Sequence, residues 1–380
     1  MKLTYIATSV IPAQKANSYQ VMKMCEAFTH ERVDVELLIP VRFGGVRNKG
    51  DAFEYYGVEK SFRIRKIFSI DLIPLEKIIG HFGFWIQNAS FTIFLSIYLL
   101  FRRVDVVYTR DKFALFFLAL CGRKNLIWEA HSFPKKFSWA YEFILKRLKR
   151  TIVITEGLKK EFIKVGYPEQ KILVASDAVD LEEFNIKESQ EDCRKKLDLP
   201  TDKKLILYTG HLFQWKGVYT LADASKYLSK DCQVIVVGGM DKDLKNYQDY
   251  LEKNGLSKVR TRGFRPHKEM AYFSKAADVL VLPNSAKEKI STTYTSPMKL
   301  FEYMASERPI VVSDLPSMRE VLSKEEAVFV EPDNPRSLAN GINRVFLDNE
   351  LSEKISKNSK LLVKKYTWEK RASDILNFIK

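Results

Sequence analysis

Cysteine is scarce. The chain of 380 residues holds four, Cys25, Cys121, Cys193 and Cys232, and no pair has metal-ligand spacing. That excludes a disulfide framework and a cysteine metal centre, and reads as reduced thiols in a cytoplasmic protein. No leader is expected, because the opening MKLTYIATSVIP reads as too short and too strand-like for a signal peptide. A clean membrane span is missing too. The nearest approach, 78–100, contains His81, Gln87, Asn88, Ser90, Thr92 and Ser96, and reads as a long core or surface helix.

Acidic residues are in deficit, with 47 Asp+Glu against 62 Lys+Arg and a net charge of +15. Residues 1–180 hold 28 basic and 18 acidic residues and the remainder 34 and 29, so the excess lies mainly in the first half. This balance favours an anionic partner: nucleic acid, an acidic membrane surface or a phosphorylated substrate. No nucleic-acid recognition motif accompanies it. Hydrophobic residues make up 46% and aromatics 12%, enough for two globular cores at this length.

Short β-branched runs alternate with amphipathic stretches. Strands are expected at 3–8, 33–39, 104–109, 125–130, 151–155 and 171–175, and again at 204–209, 233–238, 259–263, 278–283, 309–313 and 327–331. First-half helices are expected at 18–30, 76–102, 112–121, 135–149 and 156–165. Alternating βα units imply parallel sheets covered on both faces. The charged stretch 185–203 reads as a linker with one short helix. The expected organisation is therefore two doubly wound α/β domains, 1–184 and 204–364, facing across a cleft, with 365–380 as a terminal helix. Such sheets bind ligands at the carboxyl ends of their strands.

Several of those ends carry chemistry. In TGHLFQWKG (209–217), Gly210 ends a strand and a helix starts near Gly217, where free amides and the helix dipole attract phosphate. Lys216 adds a mobile charge and His211 a donor. A second glycine turn follows Gly238. In TSPMKLFEYMASERPIVVSD (295–314), Pro297 suits a helix start, which would turn the amides of Met298, Lys299 and Leu300 outward. Glu302, one turn later, can accept two hydroxyls, as a ribose diol requires. In the first half, IWEAHSFP (127–134) sets Glu129 and His131 at a strand end, and SVIPAQKANSYQ (9–20) leads from the first strand into a helix. Asp241 and Asp243 have the DxD spacing of some metal sites, but they open a helix and read as caps. No metal or other cofactor is expected.

Taken together, these stretches resemble the retaining glycosyltransferases of family four, which have the GT-B fold of two Rossmann-like domains. TGHLFQWKG is similar to that family's diphosphate loop, Gly-Arg-Leu, three residues, Lys-Gly, and 296–314 to its donor-binding helix. Segments 150–184, 262–284 and 364–380 resemble the end of the first domain, the connection between the two donor motifs, and the terminal helix that packs back on the first domain. The resemblance implies that Lys216 binds the diphosphate of a nucleotide sugar and that Glu302 holds the ribose. It implies that Gly263 and Phe264 lie near the base, and that His131 contacts the transferred sugar. Ala16, Asn17 and Ser18 would form a flexible loop on the acceptor side. Two departures stand out: His211 replaces the usual arginine, and Tyr294 replaces the first of two glutamates that the family separates by seven residues.

The implied reaction is transfer of a sugar to an acceptor hydroxyl with retention, in polysaccharide or glycolipid synthesis. A nucleotide-sugar epimerase of the same fold and a non-catalytic nucleotide-sugar-binding subunit are the competing readings. The cationic, aromatic stretch 135–150 reads either as a surface helix for an anionic membrane, which suits a peripheral enzyme on the inner face of the cell membrane with a lipid-linked acceptor, or as an ordinary helix packed on its sheet.

Overall fold

Valine, isoleucine and leucine dominate the strand segments, and the central strands are buried along all or nearly all of their length, as expected when helices cover both faces of a parallel sheet. In the computed structural model, which describes residues 1–42, 50–134 and 136–380, the chain divides into two compact units. Residues 1–154, 158–175 and 368–380 form the first, and 155–157 with 176–367 the second.

The first unit contains β1 (Lys2–Ile6), β2 (Asp34–Pro40), β3 (Arg63–Ile67), β4 (Val106–Thr109), β5 (Leu126–Ala130), β6 (Leu148–Val153) and β7 (Ile172–Val174). Their order is β3-β2-β1-β4-β5-β6-β7, all parallel. The second unit contains β8 (Lys204–Thr209), β9 (Cys232–Val237), β10 (Val259–Thr261), β11 (Val279–Leu282), β12 (Ile310–Ser313) and β13 (Val328–Val330). They are parallel in the order β10-β9-β8-β11-β12-β13. Both sheets are doubly wound and reverse direction once, between β1 and β4 and between β8 and β11. Those switch points leave a crevice beyond the strand ends.

Four expectations need correction. β3 was not expected, because RIRKI is an edge strand with three exposed cations, which hides its period. The helix expected over 76–102 is broken at Gly80, whose φ of +58° ends one turn before helix Phe82–Leu100 begins. The helix expected over 135–149 is confined to Trp139–Arg147, and Leu148 already opens β6.

The expected linker 185–203 belongs to the second domain. Ser189 caps helix Gln190–Lys196 by accepting from the Asp192 amide, and Cys193 and Leu199 enter the core beside Leu205 and Phe273. Arg194 is buried there, donating to Asp278 at 2.7 Å and to the Ala276 carbonyl at 2.9 Å. Its alternating charges are one solvated face of a helix whose other face is packed.

Helix Trp368–Ile379 packs on helix Ala16–His30, with Trp368 against Tyr19 and Arg371 buried. All four cysteines are free thiols, and only Cys121 is exposed.

Candidate active site

Three adjacent strands of the second domain end in glycines with positive φ. These are Gly210 after β8 (+122°), Gly238 after β9 (+121°) and Gly263 after β10 (+60°). The Gly210 amide donates to the Val237 carbonyl at 2.8 Å and the Gly238 amide to the Gly263 carbonyl at 2.7 Å. A side chain at 238 would overlap the Gly210 carbonyl, and one at 217 the Pro283 carbonyl, so close backbone approach demands glycine at both. The turn Gln214–Lys216 and Gly217 are thereby held against the end of β11, where the Ser285 amide donates to the Trp215 carbonyl at 2.9 Å.

Two amines converge on this glycine floor. The Lys299 ammonium is buried, donates to the Thr209 carbonyl at 2.9 Å and lies 3.7 Å from the Tyr208 ring centroid. It sits 3.6 Å from the point where a Gly210 side chain would begin. Burial, then repulsion from Lys216, pulls its pKa well below the usual lysine range. The Lys216 ammonium lies 4.2 Å from the Trp215 ring centroid, and desolvation pulls it down to about 8 despite Asp177. Among the described residues neither amine is ion-paired, and Lys216 disfavours the charged form of Lys299. An anion placed between them would relieve that repulsion.

Helix Met298–Ala305 starts after Pro297, which stands just outside the first turn. The Leu300 amide, expected to face outward, instead bonds the Pro297 carbonyl at 2.8 Å, and its side chain enters the core. Glu302 is nearly buried. Its Oε1 accepts from His267 Nε2 at 3.0 Å, and His267 Nδ1 pairs with Glu183 Oε1 at 2.8 Å. Burial disfavours the imidazolium, but the two carboxylates outweigh it and push the pKa up to about 10. His267 is therefore charged and holds Oε1 of Glu302.

Of the remaining expected residues, the His211 ring stacks on Phe213 with centroids 5.1 Å apart, and the His211 carbonyl accepts from Tyr208 at 2.6 Å. Phe264 stays half-exposed after β10. Met298 is partly buried at the first turn. Tyr294 lies in the turn Ile290–Tyr294, with the Lys289 amine 5.3 Å from its ring centroid.

The first domain has its own polar centre at the end of β5. Glu129 is fully buried, and four side chains donate to it. Gln20 Nε2 and Arg371 reach Oε1 at 3.2 Å each, His131 Nε2 reaches it at 2.6 Å, and the Tyr108 hydroxyl bonds Oε2. Burial would raise the Glu129 pKa, but Arg371 and the His131 bond hold it well below the carboxylate range. Burial and the nearby Arg110 guanidinium push His131 down to about 4, despite Glu129. His131 is thus neutral and donates through Nε2, which makes Nδ1 the acceptor nitrogen. Arg371 also donates to the Ala175 carbonyl at 3.3 Å, and Arg110 bonds Gln20. Ala16, Asn17 and Ser18, expected in a flexible loop, are the first turn of helix Ala16–His30. Asn17 Nδ2 donates to Ser9 Oγ at 3.1 Å, and Ser18 Oγ donates to the Val10 carbonyl at 3.0 Å.

Among the described residues no three His, Cys, Asp or Glu side chains converge as a metal site. Residues 241–243 open helix Asp241–Lys253.

Comparison with known proteins bears on both halves. Residues 19–183 match the family model "Glycosyltransferase Family 4", and residues 189–362 match "Glycosyl transferases group 1". The chain belongs to the group 1 glycosyltransferases. An uncharacterized glycosyltransferase of Methanocaldococcus jannaschii is 30% identical over 240 residues, covering 61% of this chain and 60% of that one. The D-inositol 3-phosphate glycosyltransferase of Corynebacterium urealyticum is 23% identical over 240 residues, 59% of this chain and 55% of that one. The matches span at most about three fifths of these relatives' length. Among solved structures, sucrose-phosphate synthase of Thermosynechococcus elongatus superposes with a TM-score of 0.78 at 18% identity, covering 99% of this chain and 97% of that one. Anabaena HepE in complex with UDP-glucose gives 0.76 at 17%, with 99% of each chain covered. Both likenesses establish the GT-B fold for this group 1 glycosyltransferase.

In this family member the residues legible beforehand were those in contiguous motifs, Lys216, Glu302 and His131. The Lys299 amine, His267, Glu183, Arg110 and Arg371 were not assigned roles. His267 and Glu183 did carry a signal, an isolated histidine in RPHKEM and an acidic pair in DLEEF. Arg371 carried none.

Proposed function

We propose that the protein transfers a sugar from a nucleoside diphosphate to an acceptor hydroxyl with retention, in the synthesis of a polysaccharide or glycolipid. The carrying observation is the Lys299 amine beside Gly210, without an ion-pair partner among the described residues and repelled by Lys216, an arrangement that suits a diphosphate. The UDP-glucose bound by Anabaena HepE supports the same class of donor. In this reading the two ammoniums stabilise the leaving diphosphate as the bond from its oxygen to sugar C1 breaks and the electron pair passes to that oxygen. The acceptor oxygen bonds C1 on the same face, and its proton passes to the departing phosphate oxygen. Glu302, fixed by His267, accepts ribose hydroxyls through Oε2. Gly263 and Phe264 face the base, and Met298 contributes an amide. Neutral His131 offers Nδ1 to a hydroxyl of the sugar, with Ala16 to Ser18 on the acceptor side. No metal enters this chemistry. The arrangement of His211, stacked rather than aimed as an arginine fork, leaves most of the diphosphate charge to the lysines.

A panel of nucleotide sugars, incubated with and without candidate acceptor alcohols and read as nucleotide release, tests the proposal. Acceptor-dependent release supports transfer. An isomerised donor without release identifies an epimerase, and binding without turnover identifies a non-catalytic subunit.

A further inference from the structure

Helix Phe82–Leu100 is built inside out. It contains no charged residue. Its buried face nevertheless carries the polar ones, with Gln87, Asn88, Ser90, Thr92 and Ser96 all inside the domain. Asn88, Thr92 and Ser96 hydrogen-bond backbone carbonyls of the same helix, and Ser90 Oγ accepts from the Ile70 amide at 2.9 Å. The outward stripe is apolar: Phe82 is 70% exposed, Leu100 64%, and Trp85, Ile93, Phe94 and Ile97 each between 41% and 54%. An ordinary surface helix has the opposite polarity.

The apolar stripe continues onto its neighbours. Trp85 contacts Phe113 of helix Lys112–Leu120 with ring centroids 5.2 Å apart, and Phe116 of that helix contacts Trp139 at 5.7 Å. Trp139 is itself 71% exposed. A patch of this kind marks an interaction surface.

Charge tells which one. Residues 101–150 contain 12 Lys and Arg against 4 Asp and Glu, so this stretch supplies most of the chain's excess. A cavity of about 210 Å³ opens between Gly122–Asn125 and Arg147–Lys149, lined by Arg123, Lys124, Arg147 and Lys149 and by no acidic residue. Arg123 donates to the Leu99 carbonyl at 3.3 Å and to the Arg102 carbonyl at 3.4 Å, which fixes the cationic cavity at the end of the apolar helix.

We propose that this face of the first domain docks on a bilayer containing anionic phospholipid. The stripe of Phe82–Leu100 enters the acyl boundary in the plane of the membrane, and the Arg123–Lys149 cavity takes a lipid phosphate. The helix does not span, because its polar face is already committed to the domain interior. Trp85 and Trp139 occupy the headgroup level, where indole rings are favoured. The stretch 135–150 supplies cations and Trp139, while the insertion is made by Phe82–Leu100.

The test uses the whole chain with vesicles of phosphatidylcholine alone or with 30% phosphatidylglycerol, separated by flotation. Binding to the anionic vesicles is expected, with a blue shift of tryptophan emission and quenching by brominated acyl chains in the unaltered protein. The double variant R123Q/K124Q should weaken binding about 5-fold per charge at low salt. W85S/I97S should reduce quenching to the part that Trp139 contributes and leave binding that high salt removes. Absence of binding to anionic vesicles at low salt overturns the proposal. So does undiminished binding of W85S/I97S, or a stable dimer of the free chain in which Trp85 is already shielded, since a second copy would then be the occupant. These readouts do not involve sugar transfer, so failure here and failure of the proposed reaction are separable.

Discussion

Replacing Arg371 by methionine removes the buried countercharge of Glu129 while keeping the volume of its aliphatic stem. The two side chains are 3% and 0% exposed, and the pair is 3.2 Å apart. Gln20, His131 and Tyr108 can still donate to the carboxylate. They bring no full charge, and breaking a buried pair from one side typically costs about 3–5 kcal/mol. For a domain of this size that corresponds to a fall of about 6–20 °C in its melting temperature. Scanning calorimetry or circular dichroism at pH 7 reads it directly. The double variant R371M/E129Q leaves no orphan charge and should recover more than half of the loss. A second signature follows from electrostatics. Arg371 helps to hold the His131 pKa down, so its removal should raise that pKa from about 4, measurable by NMR titration of the imidazole. A loss below 1 kcal/mol, or equal losses in the single and double variants, would refute the reasoning.

Four further outcomes are expected. Lys216→Met should lower turnover about 10²–10³-fold, the usual effect of removing one donor to a developing oxyanion. In the unaltered protein nucleoside diphosphate affinity should fall as pH rises through about 8, where Lys216 loses its proton, as calorimetric titration from pH 6.5 to 9.5 would show. The pKa of His267 is about 10 in the folded chain and about 6.5 unfolded, so its stabilising effect is complete below pH 6.5 and fades as pH rises towards 10. Urea unfolding at pH 6, 8 and 10 should show that decline, and His267→Gln should flatten it. Gly238→Ala forces a side chain onto the Gly210 carbonyl at a φ of +121°, so it should lower thermal stability and weaken binding of nucleoside diphosphate in the same preparation.

The alternation of strands and helices along the chain and the two-domain plan were legible because parallel strands covered on both faces are written as continuous apolar runs. β3 was not, since RIRKI shows three cations to solvent. The stretch 185–203 was misread because a charged face hides the few residues, Cys193 and Leu199, that anchor it. At the sites, Lys216, Glu302 and His131 stand in local motifs, and their chemistry follows from the ends of strands and helices. What sets their charge does not. Arg371 meets Glu129 across 242 positions, and His267 meets Glu302 across 35 and Glu183 across 84. Such pairs are decided by topology, which no single stretch records. Lys299 was noted only for its amide, because the path of its side chain beside Gly210 depends on a glycine 89 positions earlier.

The helix Trp368–Ile379 belongs to the first domain although the second is threaded before it. During synthesis residues 1–175 leave the ribosome with Glu129 lacking its guanidinium partner, and that partner arrives only after residue 367. At about 5–20 residues per second the delay is roughly 10–40 s. The domain made first is therefore the one completed last, and a gene fragment cut at the domain boundary would encode a protein that lacks its own keystone.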